Sequence, residues 1–286
     1  MVGVGRSGTT LLRLMLDAHP QMTIPPETHF VPAVIEACRA AARPESAVEA
    51  MTSVRQWGDQ GIEAAEMLDR MRGLESFDAA AALRSFYALQ AERQGKPRWG
   101  DKTPVYVESM DLIGEALPEA RFIHLIRDGR DVALSRARRG FGKNAGGRRA
   151  GERWRRRILA AREQSKRLPH YLELRYEDLI EDSEGNLRRV CDFVELEFDP
   201  AMLRYHERAA ERMAEMARDL PGRDGESVRP AEERMAAHAM TRKPPSASRI
   251  GVWRTEMSAE DAAEFEQAAG DLLAELGYPV REDSRR

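Results

Sequence analysis

Cysteine, aromatic residues and long apolar runs are all scarce in this sequence, and each scarcity excludes a class of protein. The two cysteines, Cys38 and Cys191, are too few for a disulfide framework, which agrees with a reducing compartment. No apolar run approaches the roughly 18 residues of a membrane span, and no basic, apolar and small-residue signal peptide precedes the first motif. We therefore expect a cytoplasmic protein without stable membrane insertion.

An excess of charge of one sign is also missing. The net charge is −3 over 286 residues, so bulk attraction to nucleic acid or to a membrane surface is not expected. Arginines do crowd residues 136–157, but only Phe141 and Trp154 could stack on bases there. The glycines at its start predict a flexible loop, followed by a helix through Trp154. We predict a local basic rim that attracts an anionic ligand, with some arginines merely solvated, and no nucleic-acid partner.

The stretch over residues 2–16 has the strongest functional signal. A short apolar run ends in glycines, hydroxyls and a cation and then becomes a helix, which points backbone N–H groups at a spot where the helix dipole favours an anion. Gly3 and Gly8 have the G-x-x-x-x-G spacing of a P-loop, but Thr9 stands where a nucleotide triphosphatase needs lysine. The cation is Arg6 instead. We predict a phosphate-binding loop that is not built for the β/γ-phosphates of ATP; the alternative is an ordinary strand-to-helix turn.

The loop Arg6-Ser7-Gly8-Thr9-Thr10, followed by Leu-Leu and by Leu-Asp-Ala-His-Pro at 16–20, resembles the 5′-phosphosulfate loop of PAPS-dependent sulfotransferases (PAPS is 3′-phosphoadenosine-5′-phosphosulfate). The likeness is to the branch with arginine in this loop, which includes bacterial members and the protein-tyrosine sulfotransferases. Pro-Pro-Glu-Thr at 25–28 is similar to the segment that carries the catalytic glutamate of the tyrosine branch. Clear motif similarity covers residues 2–32, 97–138, 171–195 and 243–279.

This resemblance implies separate roles for the loop and for Glu27. The residues that would bind the donor phosphosulfate are Arg6, Ser7, Gly8, Thr9 and Thr10. Glu27 is the predicted general base, because the acceptor hydroxyl must lose a proton. His29 is the rival base, since an imidazole titrates in the useful range. The alternative for Glu27 is a helix-capping or surface carboxylate.

Lys102 lies just after a predicted strand end at Trp99 and before Pro104. Ligands of open α/β sheets bind at the carboxyl ends of strands, so Lys102 would face the crevice. The resemblance implies a role for this Lys-Thr-Pro beside the phosphosulfate, and we predict that Lys102 is catalytic together with Arg6. The alternative is a solvated surface lysine.

A second anion pocket is predicted after the most apolar strand of the chain. Arg127 ends that strand and Ser135 lies two turns into the next helix, so a guanidinium and a hydroxyl can converge on one anion. Their spacing resembles that of the 3′-phosphate site of sulfotransferases. The alternative is a salt bridge from Arg127 or Arg130 to Asp128 or Asp131. The two pockets should lie about a nucleoside apart on the same sheet edge.

We predict one α/β domain over residues 1–286, with a P-loop-like three-layer fold and a mostly parallel sheet of about five strands. The first strand is either short or cut by a truncated chain start, because few residues precede the loop. Helical periodicity over 45–95 predicts a helical cap over the acceptor pocket, or helices that only pack. Breakers within 203–248 favour a mobile lid.

Smaller features complete the set of predictions. His124, inside an apolar strand, is predicted to be a satisfied core histidine. Tyr176 and Asp178 should hold the exit of a strand within 171–179, and Ser258 begins the last helix with a capping box. The late segment, which closes over the cofactor in the family, offers further candidate phosphate contacts: Arg249, with Lys243, Ser246 and Ser248.

Together these patterns favour a PAPS-dependent sulfotransferase that moves a sulfuryl group in line to a hydroxyl. PAPS would be a co-substrate and no metal is implied, because cations and a helix terminus neutralise the donor. The alternatives are a P-loop-like nucleotide kinase or NTPase, which the missing lysine at position 9 disfavours, and a non-catalytic nucleotide-binding protein. The expected acceptor is a small-molecule, sugar or lipid hydroxyl rather than a tyrosyl peptide. Its identity and the oligomeric state stay open.

Overall fold

The strands of this protein are short, and helices dominate the chain. The computed structural model describes residues 1–138, 147–222, 228–236 and 239–281. Within these ranges the strands are β1 (Met22–Thr23), β2 (Arg98–Trp99), β3 (Phe122–Ile126), β4 (Tyr171–Arg175), β5 (Leu220–Pro221) and β6 (Val228–Arg229). The α-helices are α1 (Thr9–Asp17), α2 (Val31–Ala40), α3 (Pro44–Thr52), α4 (Ala64–Arg72), α5 (Ala79–Arg93), α6 (Met110–Ala116), α7 (Gly129–Ala137), α8 (Gly147–Ser165), α9 (Tyr176–Glu181), α10 (Ser183–Val194), α11 (Ala209–Ala214), α12 (Ala231–Ala236), α13 (Trp253–Glu256) and α14 (Ala259–Glu275).

Parallel pairing aligns the carboxyl ends of β1 and β2, and those of β3 and β4, whereas β5 and β6 pair antiparallel. β1 pairs with β2, and β3 pairs with β4, both in parallel. All five residues of β3 are buried, as in a parallel strand covered on both faces. Residue 2 lies beside β3: the Val2 N–H donates to the carbonyl of Ile123 at 2.9 Å, and the Leu125 N–H donates to the carbonyl of Val2 at 3.0 Å. On its other side, the Gly3 N–H donates to the carbonyl of Pro104 at 3.1 Å.

The predicted sheet of about five strands is therefore not confirmed. The described residues form sheets of two strands each, and residue 2 contributes only an isolated bridge to His124. Prolines at 25 and 26 follow β1, and Gly100 follows β2, so the backbone leaves the ladder after two residues in each strand. The mixed helix and strand composition and the parallel pairing agree with the predicted α/β class.

Three apolar clusters pack around these strands. One joins Phe30 to the helices α2 to α6 through side chains such as Phe86. The second lies between α1 and α10 on one side of β3 and β4. The third is formed mainly by α8 and α14, where Trp154 and Phe265 lie 6.0 Å apart between ring centroids. These clusters support the carboxyl edge of the strands from both faces, which gives the loops that follow the strands a rigid base.

The segments predicted as cap and lid have helical and mixed structure. Residues 45–95 contain parts or all of α3, α4 and α5, in agreement with their periodicity. The stretch 203–248 includes α11, β5, β6 and α12, but residues 223–227 and 237–238 lie outside the described residues. So does most of the predicted loop before α8, at 139–146. Whether these segments act as a cap and a lid stays a prediction.

The predictions for the two ends of the last helix are confirmed. The Ser258 hydroxyl accepts the Asp261 N–H at 3.0 Å and donates to the Asp261 carboxylate at 2.8 Å, which begins α14. Gly277, at a φ of 76°, follows the end of that helix. Among the described residues, no helix is both long and apolar enough to cross a membrane.

Candidate active site

The N-terminal loop turns sharply into α1. Arg6 has a φ of 83° and Gly8 a φ of 97°, so the chain enters the left-handed region twice within three residues. A Cβ on Gly8 would lie 2.4 Å from Cδ2 of Tyr176, which leaves room only for glycine. Since α1 begins at Thr9, the first N–H groups of the helix have no acceptor within it and can bind an anion.

A cavity of about 720 Å³ opens beside this loop. Its walls come from the loop, the residues after β1, the start of α7 and the segment around residue 249. The predicted site residues that line it are Arg6, Gly8, Thr9, Thr10, Glu27, Arg127, Ser135 and Arg249. Ser7 and Lys102 are buried behind this surface. The tertiary structure therefore brings every predicted site residue to one region of the molecule.

Glu27 and Lys102 form an ion pair at the cavity wall. Nζ of Lys102 lies 2.5 Å from Oε1 of Glu27 and 3.4 Å from Oγ1 of Thr10. Burial by itself raises the pKa of Glu27, but Lys102 and His29 outweigh it and hold that pKa below its ordinary value. Burial lowers the pKa of Lys102, and the contact with Glu27 offsets part of this effect. The surface-lysine alternative is wrong, because the Lys102 side chain is 2 % exposed.

His29 lies next to the same carboxylate. Its Nε2 is 3.0 Å from Oε2 of Glu27, so the two candidate bases are hydrogen-bonded to each other. His29 has a φ of 58°, a conformation that a non-glycine residue adopts only where its surroundings enforce it. The turn brings the imidazole back over the Glu27 carboxylate, and both side chains line the cavity. The carboxylate thus lies between Lys102 and His29, with about a third of its side chain exposed.

The two predicted anion pockets adjoin. Nε of Arg6 donates to Oγ of Ser135 at 3.1 Å, although these residues are 129 positions apart. Arg127 donates through one terminal nitrogen to the carbonyl of Arg6 at 3.4 Å and through the other to the carbonyl of Arg249 at 2.5 Å. The guanidinium of Arg127 also lies over the ring of Tyr176, 4.7 Å from its centroid. The Arg6 side chain thus reaches from the loop to Ser135 of the second pocket, and the separation of about a nucleoside between the two phosphate groups stays a prediction.

Ion pairs of the kind named as the alternative also exist. Arg130 is fully buried and contacts Asp128 at 2.8 Å and Glu266 at 2.7 Å, so its role is in the core. Arg127 lies 3.6 Å from Asp131, a longer contact. This carboxylate has other partners as well, because it accepts the N–H groups of Gly251 at 2.8 Å and Trp253 at 2.9 Å. Asp131 therefore holds the late segment against α7.

Two residues of this site were not predicted for their observed roles. The sequence indicates Asp131 only as a salt-bridge partner, and nothing local links it to residues 251 and 253. Tyr176 was expected to hold a strand exit, yet its ring also packs against Gly8 and Arg127. Both contacts join segments far apart in the chain, so periodicity and turn signals do not reveal them.

The candidate phosphate contacts at 243–249 differ in where they lie relative to the cavity. Arg249 and Ser246 line the cavity, and the Ser246 hydroxyl donates to the Ser248 hydroxyl at 3.1 Å. The Lys243 side chain is exposed, while its carbonyl accepts the Tyr205 hydroxyl at 2.5 Å. Of these candidates, Arg249 has the firmest position, because its carbonyl is bound by Arg127.

Comparison with known proteins agrees with this geometry. The family model described as "Sulfotransferase family" matches residues 1–200. A protein-tyrosine sulfotransferase of Drosophila melanogaster is 26% identical over 212 residues, which are 72% of this chain and 39% of that protein. Protein-tyrosine sulfotransferase A of Caenorhabditis elegans is 28% identical over 214 residues, 72% of this chain and 51% of that protein. The chain thus spans about half the length, or less, of these curated relatives.

Two solved structures share the fold. The sulfotransferase domain of the Synechococcus PCC 7002 olefin synthase superposes with a TM-score of 0.62 at 19% identity, over 98% of this chain and 94% of that one. The sulfotransferase domain from the curacin biosynthetic pathway gives a TM-score of 0.61 at 20% identity, over 98% and 97%. At these identities the likeness shows a common fold and nothing finer. Because the family model covers more than half of the sequence, the chain belongs to the sulfotransferase family.

Proposed function

We propose that this chain transfers a sulfuryl group from PAPS to a hydroxyl of a small-molecule, sugar or lipid acceptor. The observation that carries the proposal is the convergence of Arg6, Arg127 and Ser135 at the start of α1, next to Glu27. A helix N-terminus with cations on either side suits a ligand with two phosphate groups, and the neighbouring carboxylate suits removal of a proton.

The residues present fit such a donor. Among the residues that the structure describes, the buried Oγ of Ser7 and the buried Nε of Arg127 have no hydrogen-bond partner. Buried polar atoms are nearly always paired, so unpaired ones at this loop favour a ligand that pairs them. Gly8 lacks a Cβ, so the loop can pack directly against Tyr176 at this site. When bound, PAPS would supply the sulfuryl group and a bisphosphate leaving group.

Arg6, Lys102 and the first N–H groups of α1 would stabilise the charge that grows on the leaving phosphate. Electrostatic stabilisation by groups already in place is the main source of catalysis in transfers of this kind. Lys102 is held by Glu27 and Thr10, so its ammonium is positioned before a ligand arrives. Because Lys102 is buried, its attraction to a negative charge is stronger than it would be in water.

Glu27 would accept the proton of the acceptor hydroxyl at one of its carboxylate oxygens. Lys102 and His29 keep the carboxylate ionised, which is the form that a base requires, but they also weaken its basicity. Attraction of Lys102 toward a bound phosphate would relax its hold on Glu27 and raise the pKa of that carboxyl. The donor and the base are thereby coupled through one lysine.

Calorimetry tests the donor. Adenosine 3′,5′-bisphosphate should bind at least about 10-fold more tightly than ATP with Mg²⁺, since the loop lacks the P-loop lysine. Arg127→Ala should remove the preference for the bisphosphate over AMP, while Arg155→Ala, at an exposed ion pair with Asp271, should keep it. Tighter binding of ATP would favour a kinase or NTPase instead.

Transfer itself is tested with labelled PAPS and a panel of phenols, sugars, lipid alcohols and tyrosyl peptides. Label transfer to at least one hydroxyl compound is expected, and loss of that transfer in Arg6→Ala would tie it to the loop. Tight binding of the bisphosphate without transfer to any class would favour a nucleotide-binding protein that is not an enzyme.

A further inference from the structure

A buried hydroxyl cluster lies directly behind the Glu27–Lys102 pair. Oδ2 of Asp101 accepts the Thr28 hydroxyl at 2.8 Å and the Tyr87 hydroxyl at 2.9 Å. The Thr28 hydroxyl is also 2.8 Å from the Tyr106 hydroxyl, which accepts the Val31 N–H at 3.0 Å. Thr28 is fully buried, and both tyrosines are almost so.

The donors and acceptors of this cluster can be assigned completely. Burial raises the pKa of both tyrosines well above its ordinary value, so both keep their protons at neutral pH. Tyr87 donates to Asp101, and Thr28 donates to Asp101 while accepting from Tyr106. The Asp101 carboxylate is the final acceptor, and it also accepts the Thr103 hydroxyl at 3.4 Å.

The cluster is joined by the backbone to both reactive side chains. Thr28 directly follows Glu27 and precedes His29, which has a left-handed backbone. The Thr28 N–H donates to Oγ1 of Thr103 at 3.1 Å. Asp101 and Thr103 flank Lys102 on either side. Thr28 thus binds the segment 101–103 at two points, in addition to the bond between Glu27 and Lys102. A strained turn persists only where its surroundings hold it, and the two Thr28 bonds are among those that hold this one.

We infer that Thr28 and Asp101 are positioning residues that keep the Glu27 carboxylate in contact with the Lys102 ammonium and aimed into the cavity. The inference rests on the proposed function, because it concerns the geometry of the base and of the cation. Neither residue touches the reacting atoms: Thr28 and Asp101 act through their chain neighbours. Misplacement of a catalytic group by about 1 Å can cost about 10²-fold in rate.

Thr28→Val tests the inference, since valine keeps the shape and removes the hydroxyl. We expect kcat to fall by about 10- to 100-fold, with unchanged affinity for adenosine 3′,5′-bisphosphate. With its contact to Lys102 loosened, Glu27 should titrate at higher pH, so the acid limb of the kcat profile moves up in pH. Thr28→Ser should restore both quantities, because serine keeps the hydroxyl.

Thr23→Val is the matched control. Thr23 is also a buried threonine, and its hydroxyl donates to the buried Asp17 at 3.3 Å, outside the 27–29 and 101–103 segments. It should lower thermal stability without moving the pH profile. If Thr28→Val and Thr23→Val behave alike, with normal kcat and profile, the cluster only stabilises the fold and the inference is wrong.

Three further variants keep the test decisive. Asp101→Ala removes the acceptor of the Thr28 and Tyr87 hydroxyls, so kcat should fall about 10- to 100-fold with unchanged affinity for adenosine 3′,5′-bisphosphate, even if Thr28→Val fails to fold. Asp101→Asn, which keeps an oxygen acceptor, should restore most of that loss, and a normal kcat in Asp101→Ala would count against the positioning role of Asp101. Glu27→Gln separates the two levels: full turnover in Glu27→Gln overturns the base itself, whereas lost turnover there with a normal Thr28→Val overturns only the positioning.

Discussion

At the scale of single residues, Glu27 is the proposed general base although its surroundings lower its pKa. A general base works best when its pKa is near the operating pH, yet Lys102 and His29 lower the pKa of this carboxyl. The lowered pKa guarantees ionisation, and the same lysine is the group that a donor phosphate would attract. The structure also places both candidate bases in one hydrogen bond, so only substitution can separate them.

Glu27→Gln should reduce sulfuryl transfer by about 10²- to 10⁴-fold, the usual contribution of a general base. Binding of adenosine 3′,5′-bisphosphate should remain, because the amide keeps the size of the side chain. His29→Asn should cost less than about 10-fold, since His29 then only supports Glu27. Steady-state kinetics and calorimetry on both variants measure this, and the reverse order of effects would identify His29 as the base.

At the scale of elements, the start of α1 depends on Gly8, because a Cβ at this position would clash with Tyr176. Gly8 combines a positive φ with close approach to Tyr176 of α9, so the loop, the helix N-terminus and the exit of β4 meet at one point. Gly95 also has a positive φ, of 63°, but a Cβ there would meet nothing within 4 Å. The two positions therefore separate backbone strain from steric contact.

Gly8→Ala should weaken binding of adenosine 3′,5′-bisphosphate by at least about 10-fold, because the added methyl displaces Tyr176 or the loop. Gly95→Ala carries the backbone cost alone, about 1 kcal/mol, and should leave binding unchanged. Calorimetry and thermal unfolding of both variants give the comparison. Normal binding in Gly8→Ala would show that the loop tolerates a different path.

In the pair β3–β4, the neighbours of His124 determine which of its ring nitrogens carries the proton. Tyr171 donates to Glu173 at 2.9 Å, so Nδ1 of His124 must donate to the Tyr171 oxygen, 2.6 Å away. Its Nε2 is then a bare acceptor, and this buried atom has no partner among the described residues. His124 is thus only half satisfied, which corrects the expectation of a satisfied core histidine. Burial lowers the pKa of His124 from 6.5 to about 4; Glu173 raises it by a smaller amount, and Arg162 lowers it slightly further.

Because the pKa of His124 is lowered in the folded state, the unfolded chain binds its proton first as the pH falls. Stability from this group is complete above pH 6.5 and is lost between there and about pH 4. Between about pH 7.5 and about pH 5, this residue should remove about 2 kcal/mol from the free energy of unfolding. Urea unfolding of His124→Gln should show a correspondingly flatter pH dependence; equal slopes would mean that folding does not lower the pKa of His124.

At the scale of the whole molecule, buried ion pairs join the segment 209–236 to the rest of the chain. Arg234 of α12 contacts Asp59 through both nitrogens, at 2.5 and 3.1 Å, with both side chains almost fully buried. Arg13 of α1 contacts Glu215 at 3.0 Å in the same part of the fold. Asp59 and Arg234 also line the cavity. The predicted lid is therefore attached to the helical segment 45–95 by a charge pair at the site.

Arg234→Met and Asp59→Asn should each destabilise the protein by about 3–5 kcal/mol, because each leaves a buried charge without its partner. The double variant should lose less than the sum of the single losses. Urea unfolding measures all three. The exposed pair of Arg155 and Asp271 is the control, and its removal should cost about 1 kcal/mol or less. Additive losses at Asp59 and Arg234 would mean that the pair contributes no coupling.

The elements whose signals are local could be predicted. β3 and β4, the helix from 183, the cap at Ser258 and the turn into α1 all follow from apolar runs, hydroxyl caps and glycines within a few positions. The extent of the sheet could not be predicted, because strand length depends on where neighbouring backbones leave the ladder. The contact between Arg6 and Ser135 could not be predicted either, because it joins side chains 129 positions apart.

Sequence alone was enough to predict an anion-binding loop and to identify the candidate groups. The glycines, the hydroxyls and the cation that indicate such a loop are close together in the chain, at the start of a helix. The tertiary structure decided how those groups meet: the burial of Lys102 against Glu27, the hold of Asp131 on the late segment, and the cluster behind Thr28. Contacts between distant segments depend on how whole elements pack, and no pattern within a window of the chain encodes that arrangement.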